Sequence, residues 1–394
     1  MNLFSGAPNN LPLSQAQNRR DFLWRSGGGL GGIALAGMLG RDGVLADTAA
    51  TRQPVGLHHA PRAKRVIQLF MGGAASHLDL FDYKPELLER HGQKWDPGET
   101  VELFQSSPGN TFKSPWEWSQ HGQCGKPLTS IVSELGQCVD DITFIHNVVG
   151  KTGVHSQATY LQSTGFQRPG FPGMGAWVSY GLGSLNDNLP TFVVLPDHRG
   201  YASNGPKNWS SAFLPAAHQG TTLFPGRANP IADLHPPKGS FVNPESETDT
   251  QSLLAKFNRR HAATRATDSR LDARIKSYEL AARMQLSAPE ALDISGEPSH
   301  IKRLYGLDHN IKTWPKEINE IEEIDYFSRK CVVARRLLER GVRFVQLYSG
   351  DTTGWDAHKN ILQNHTTWCR RTDAPIAGLF DDLKARGLWE DTLI

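Results

Sequence analysis

The sequence predicts an α/β protein whose mainly parallel sheet lies between helix layers, and three observations carry that expectation. Short, nearly continuous apolar runs such as "VIQLFM", "TFVVLP" and "VRFVQLY" read as strands covered on both faces. Between such runs fall stretches with the apolar periodicity of a helix, among them "IDYFSRKCVVARRLLERG". Strand and helix therefore alternate, as they do when parallel strands are joined by crossover helices.

Bulk composition narrows the class of protein further. An apolar fraction of 38% over 394 residues suffices for a substantial core. Lys and Arg number 42 against 40 Asp and Glu, a balance with no electrostatic footprint for nucleic acid or an anionic membrane. The 38 Gly and 24 Pro are dispersed without a period, which predicts many turns and long connections. Cys124, Cys138, Cys331 and Cys369 include no CxxC pair, which argues against a zinc knuckle. Buried free thiols are favoured over a Cys124–Cys138 disulfide.

The amino terminus reads as an address. "NRRDFLWRSGGGLGGIALAGMLG" sets Arg19 and Arg20 before Asp21, Phe22, Leu23 and a Gly- and Ala-rich apolar stretch. This resembles a twin-arginine export signal, and Val44-Leu45-Ala46 offers the small residues a signal peptidase reads. Residues 1–46 are expected to be the signal peptide and 47–63 a linker, with His58 and His59 solvated. The glycines are not a dinucleotide loop, because no strand precedes them. The apolar run is too short and glycine-diluted for the roughly 20 residues a span needs. The expectations are passage through the twin-arginine export machinery, a periplasmic or extracellular location, and no stable membrane span after cleavage. That route carries folded proteins, which accords with a metal inserted beforehand.

Residues 64–394 are expected to form one α/β domain. Its first strand, "AKRVIQLFM", leads into a Gly-rich turn carrying His77, Asp79 and Asp82. In "KPLTSIVSELGQCVDD", Leu128, Ile131, Val132 and Leu135 have the spacing of an amphipathic helix with Pro127 near its start. "ITFIHNV" reads as the next strand, and "GKTGVHSQATYLQSTG" as a loop opening into a helix with His155 and Ser156 in its first turn. "FPGMGAWVSYGLG" and "LPTFVVLPD" supply a further helix and strand. From about 202 to 323 the alternation breaks around one long polar helix near Leu253–Met284, an insertion or cap over the sheet edge. It resumes with a helix that sets Phe327, Cys331, Ala334 and Leu338 on one face and arginines on the other, stopped by Gly341. "VRFVQLY" is the next strand, followed by "GWDAHKN" and a helix through Ile376, Leu379, Phe380 and Leu383. "DTLI" begins one more strand, too short to complete its unit, so the chain is expected to be a truncated copy of a longer protein.

Ligands of parallel sheets bind beyond the carboxyl ends of the strands. Three polar clusters fall there: His77, Asp79 and Asp82; His155 and Ser156; Asp356 and His358. Carboxylates and imidazoles without a thiolate suit a divalent metal such as zinc, manganese or iron. The expected ligands are Asp79, His77, Asp356 and His358, with Trp355 as a wall of the site and His365 on the surface. Ser156 and His155 are the candidate catalytic residues. Asp79 and Asp82 also fit the plainer role of turn or cap residues.

The twin-arginine start, "LFMGGAASHLDLFDYKPEL", "GVHSQATYLQSTG", "SAFLPAAHQG" and "GWDAHKN" together resemble the exported bacterial family called domain of unknown function 1501, within the alkaline-phosphatase-like superfamily that includes sulfatases. The resemblance implies a sheet sandwiched between helices and a metal-dependent hydrolase of phosphate or sulfate esters, acting on a small-molecule or polysaccharide ester. It also implies that Asp356 and His358 are metal ligands, that Ser76 to Asp79 forms the first metal loop, and that His155 and Ser156 lie near the nucleophile position. Two departures stand out: Gly72-Gly73 replaces the Asp that superfamily phosphatases place after the first strand, and the sulfatase signature Cys or Ser-x-Pro-x-Arg is absent. Relatives also continue past "DTLI" into Glu-Phe-Gly-Arg and Asp-His-His motifs, so truncation is expected to impair the site. The alternative is a non-catalytic exported binding or surface-associated protein that retains the fold.

Overall fold

The computed structural model describes residues 60–96, 98, 109–225, 227, 230–231, 244–265, 269–308 and 321–394. The expected signal peptide and most of the linker lie outside them. In chain order the elements are β1 (Arg65–Met71), α1 (His77–Leu80), α2 (Pro85–Glu89), β2 (Trp118–His121), β3 (Lys126–Thr129), α3 (Ser133–Gln137), α4 (His155–Thr164), α5 (Met174–Leu182), β4 (Phe192–Leu195) and β5 (Thr221–Thr222). Then follow α6 (Pro244–Ala263), α7 (Ser269–Leu292), α8 (Ser299–Leu304), α9 (Ile321–Glu339), β6 (Phe344–Ser349), α10 (Ile361–Ala385) and β7 (Thr392–Leu393). Five strands form a parallel sheet in the order β5-β4-β6-β1-β7, and β2 and β3 form a separate antiparallel hairpin. The α/β class expected from the sequence is thus the observed one.

The central strands show why their sequences lack polar alternation. Every residue of β4 and β6 is buried. Because successive side chains point to opposite faces, Val193, Leu195, Val345 and Leu347 enter the principal core with Phe327, Cys331, Ala334 and Leu338 of α9 and Leu379 and Leu383 of α10. Phe192, Val194, Phe344 and Tyr348 pack on the other face with Ala202 and Trp209. β1 departs from the expectation of cover on both faces, since Ile67 alone is buried and its neighbours are half-buried. Its outer partner β7 pairs only with Arg65 and Val66, so the rest of that edge has no strand partner among the described residues.

Four further expectations need correction. "ITFIHNV" forms no strand, and Ile145 and Val148 are exposed. Asn147 takes a left-handed φ of 60°, which breaks the extended run. The helix expected over Leu128–Leu135 is divided into β3, a 3-10 turn at Ser130–Val132 and α3. Pro127 sits within β3 opposite Gln120, a place proline tolerates in a two-stranded hairpin, and Leu128 and Val132 still reach a core. On α9 the cations are not all outward, because Lys330 and Arg335 are buried. The single polar helix expected near Leu253–Met284 is two helices, α6 and α7, and the second sends Met284, Ala288 and Ala291 into the principal core. Among the described residues no helix is long and apolar enough to cross a membrane.

Candidate functional site

The carboxyl ends of β1, β4 and β6 meet at a rim built largely by backbone contact. Gly350, the first residue after β6, has a φ of +89° and donates its N–H to Asp197 Oδ2 at 3.0 Å. The chain beyond it runs against the exit of β1, where Trp355 N–H donates to Gly72 O at 2.9 Å. Side chains are excluded there: a Cβ on Gly72 would stand 2.8 Å from Gly350 O, and one on Gly73, with φ +92°, 2.5 Å from the Thr353 carbonyl carbon. The Gly72-Gly73 pair is therefore required by the close approach of the two loops.

Trp355 anchors this loop. It is buried, donates from Nε1 to Ser349 Oγ at 3.0 Å and stacks on Trp368 of α10 with ring centroids 5.6 Å apart. Trp368 in turn donates from Nε1 to Gly354 O at 2.6 Å, and Asn364 Nδ2 reaches the same carbonyl. The expected role of Trp355 as a site wall is corrected to that of a core residue fixing the backbone just before Asp356.

On that fixed backbone Asp356 is half-buried, and one of its carboxylate oxygens, Oδ2, lies 3.0 Å from His155 Nε2 and 2.8 Å from His358 Nε2. His155 opens α4, whose first turn is held from outside by Asn204, donating from Nδ2 to Ser156 O at 2.6 Å. The ligand atoms of His155, Asp356 and His358 all lie within 4.8 Å of one another. Metal–nitrogen and metal–oxygen bonds of about 2.0–2.2 Å place the ligands of one ion roughly 3–4 Å apart, so small side-chain adjustments would let the three share an ion. Two imidazoles and a carboxylate are a donor set suited to zinc, manganese or iron. His358 is exposed, so solvent reaches the group.

The remaining expected site residues lie elsewhere. Asp79 is buried and accepts from Ser76 Oγ at 2.5 Å, as a turn residue does. His77 is exposed on the same turn, beside Asp82. Ser156 is exposed, with its backbone carbonyl engaged by Asn204. His365, expected on the surface, is fully buried and accepts from Ser76 N–H through Nε2 at 2.8 Å. Burial holds its pKa below the usual imidazole range, despite the nearby Asp79 charge. It joins α10 to the turn after β1 as a neutral ring.

Asp197 was not singled out from the sequence, although its position directly after β4 is where functional groups of such sheets gather. Burial opposes its charge, but hydrogen bonding with His198 and the charges of Lys330 and Arg199 hold it well below the usual carboxylate range. Lys330, fully buried on α9, donates from Nζ to Pro196 O at 3.1 Å and to Tyr348 O, the ends of β4 and β6. Burial pulls its pKa down to about 8. Arg199 bridges onward to Asp351 at 3.3 Å and lies over the Trp368 ring. This chain of contacts clamps the ends of two strands under the loop that carries Asp356.

Residues 63–394 match the profile of the family described as "Protein of unknown function (DUF1501)". Comparison with curated proteins gave no match, and comparison with solved structures gave none.

Proposed function

The chain belongs to the DUF1501 family, and on that footing we propose that it is an exported metal-dependent hydrolase of phosphate or sulfate esters with an alkaline-phosphatase-like fold. The carrying observation is the convergence of His155, Asp356 and His358 from two separate parts of the sequence onto one carboxylate oxygen. These three would hold the metal, which when bound would polarise a phosphoryl or sulfuryl oxygen and lower the pKa of water. Asp356 supplies the negative charge, and the Trp355 and Trp368 stack keeps its backbone in place. His155 is fixed at the head of α4 and faces the carboxylate. His358 brings its imidazole from the solvent side.

The rival reading, a non-catalytic exported binding protein, draws support from Ser156. It is exposed, and among the described residues no hydrogen bond ties its hydroxyl to a base. Metal analysis of full-length protein purified after cytoplasmic folding, followed by a panel of aryl phosphate and aryl sulfate esters, separates the readings. Hydrolase function requires near-stoichiometric metal and turnover, both lost in His155→Ala and Asp356→Asn. Bound metal with no turnover would favour the binding protein, and absence of metal would end the metal-site reading.

A further inference from the structure

A second group of titratable side chains, distinct from the His155–Asp356–His358 cluster, surrounds Lys126 on the β2–β3 hairpin. Lys126 Nζ stands 2.9 Å from His146 Nε2 and 4.5 Å from the centroid of the Phe144 ring. As an ammonium it can only donate, so Nε2 presents its lone pair and the imidazole proton sits on Nδ1. That nitrogen faces Asp82 Oδ1 at 3.4 Å. Asp82 is shared with Lys84, whose Nζ is 2.9 Å from the same oxygen. Lys84, His77 and His146 thus crowd the one carboxylate that faces Lys126, with the Cys124 thiol as a further neighbour.

We propose that Lys126 is an amine nucleophile primed by His146, and that it is a site of covalent acylation by activated acyl donors such as thioesters or acyl phosphates. A lysine that is partly desolvated and set beside another cation loses its proton more readily than a solvated one. Burial first, and Lys84 after it, hold the Lys126 ammonium below its ordinary range, outweighing the opposite pull of Asp82 and Cys124. In the step, the free amine's lone pair attacks the acyl carbon and a C–N bond forms. The bond from the acyl carbon to its leaving group breaks, and that group departs with the electron pair. The amine proton passes to His146 Nε2, and the resulting imidazolium faces Asp82 until it releases the proton to water. The proposal is independent of the ester-hydrolase reading, since none of these groups belongs to the rim cluster.

The test is competitive labelling of the full chain with limiting N-hydroxysuccinimidyl acetate near neutral pH, followed by peptide mass mapping. Lys151 and Lys207 are more exposed than Lys126 and serve as internal references. A lowered pKa raises the free-amine fraction and His146 stands ready to take the proton, so Lys126 should react at least about threefold faster than either reference. Its rate should also level off at lower pH than theirs. His146→Leu should erase most of that advantage and Lys84→Gln a smaller part of it, and Lys84 is exposed enough for its change to leave folding intact. Labelling of Lys126 no faster than Lys207 would overturn the proposal, and so would an advantage that survives both substitutions.

Discussion

Two groups of charges in this molecule are built on opposite plans. Arg335 of α9 is buried among three carboxylates, Glu297 at 2.7 Å, Glu339 at 2.9 Å and Asp382 at 3.0 Å. Those carboxylates are themselves shared with Arg336 and Arg386, and the Tyr305 hydroxyl donates to Asp382. Burial alone would raise the Glu297 pKa, but the two guanidiniums hold it below the usual carboxylate range. At the rim the arrangement is reversed: Asp356 is half-buried, two imidazoles converge on one of its oxygens, and water reaches His358. The first group is closed and spends its charges on joining α9, α10 and the loop before α8. The second can take up a cation without opening the fold.

The largest effect on stability should come from breaking the closed group. Arg335→Ala leaves Glu297 and Asp382 buried with one cation each, and removing one member of such a network costs about 3–5 kcal/mol. The low end is expected here, because Arg336 and Arg386 remain. Urea denaturation of the full chain measures it, and a loss below about 1 kcal/mol would mean that the network contributes little to stability.

Asp373 of α10 lies between the two plans: buried, but answered among the described residues by the backbone N–H groups of Glu134 and Leu135, at 2.9 and 2.8 Å. Burial pushes its pKa up to about 6, against the pull of those two bonds. The sign follows from proton binding. Between its unfolded value of about 4 and the folded value, the folded state holds more proton, so stability falls as pH rises through that window. The change should be on the order of 2 kcal/mol, and Asp373→Asn should flatten that part of the stability–pH curve. An unchanged slope in the variant would show that Asp373 titrates in the folded protein as it does in the unfolded chain.

These contrasts also explain what could be read from the sequence. The strands and helices of the sheet were legible because burial on two faces leaves β4 wholly apolar and β6 without polar alternation, and α9 carries a clear apolar stripe. Asp356 and His358 were legible because they follow a core strand directly, and His155 because it opens a helix after a loop. Their association was not, since it depends on a backbone approach between Gly72 and Trp355 that no local pattern encodes. His365 misled for a related reason. Its neighbours Leu362 and Gln363 are exposed, yet its own side chain is turned inward to meet Ser76 across a long sequence separation. The burial of Lys330 and Arg335 was equally hidden, because a helical cation reads as solvated until its partners from other elements are known.

The smallest effect on stability should come from the rim itself, and it sharpens the contrast most. Asp356→Asn removes the charge that both imidazoles face, but the group is reached by solvent and exposed ion pairs contribute only about 0–1 kcal/mol. The backbone at this position is held independently, by Asp356 N–H to Thr353 O and by the Trp355 anchor, so the loop should keep its course. Folding stability should then stay within about 1 kcal/mol of the parent while zinc or manganese affinity, followed by calorimetric titration, drops at least about tenfold. A loss of stability comparable to that of Arg335→Ala would place Asp356 among the structural charges. Unchanged stability with undiminished metal affinity would move the site away from Asp356 altogether. Only the combination of a stable fold and lost affinity fits a charge retained for what it binds, since the fold itself can do without it.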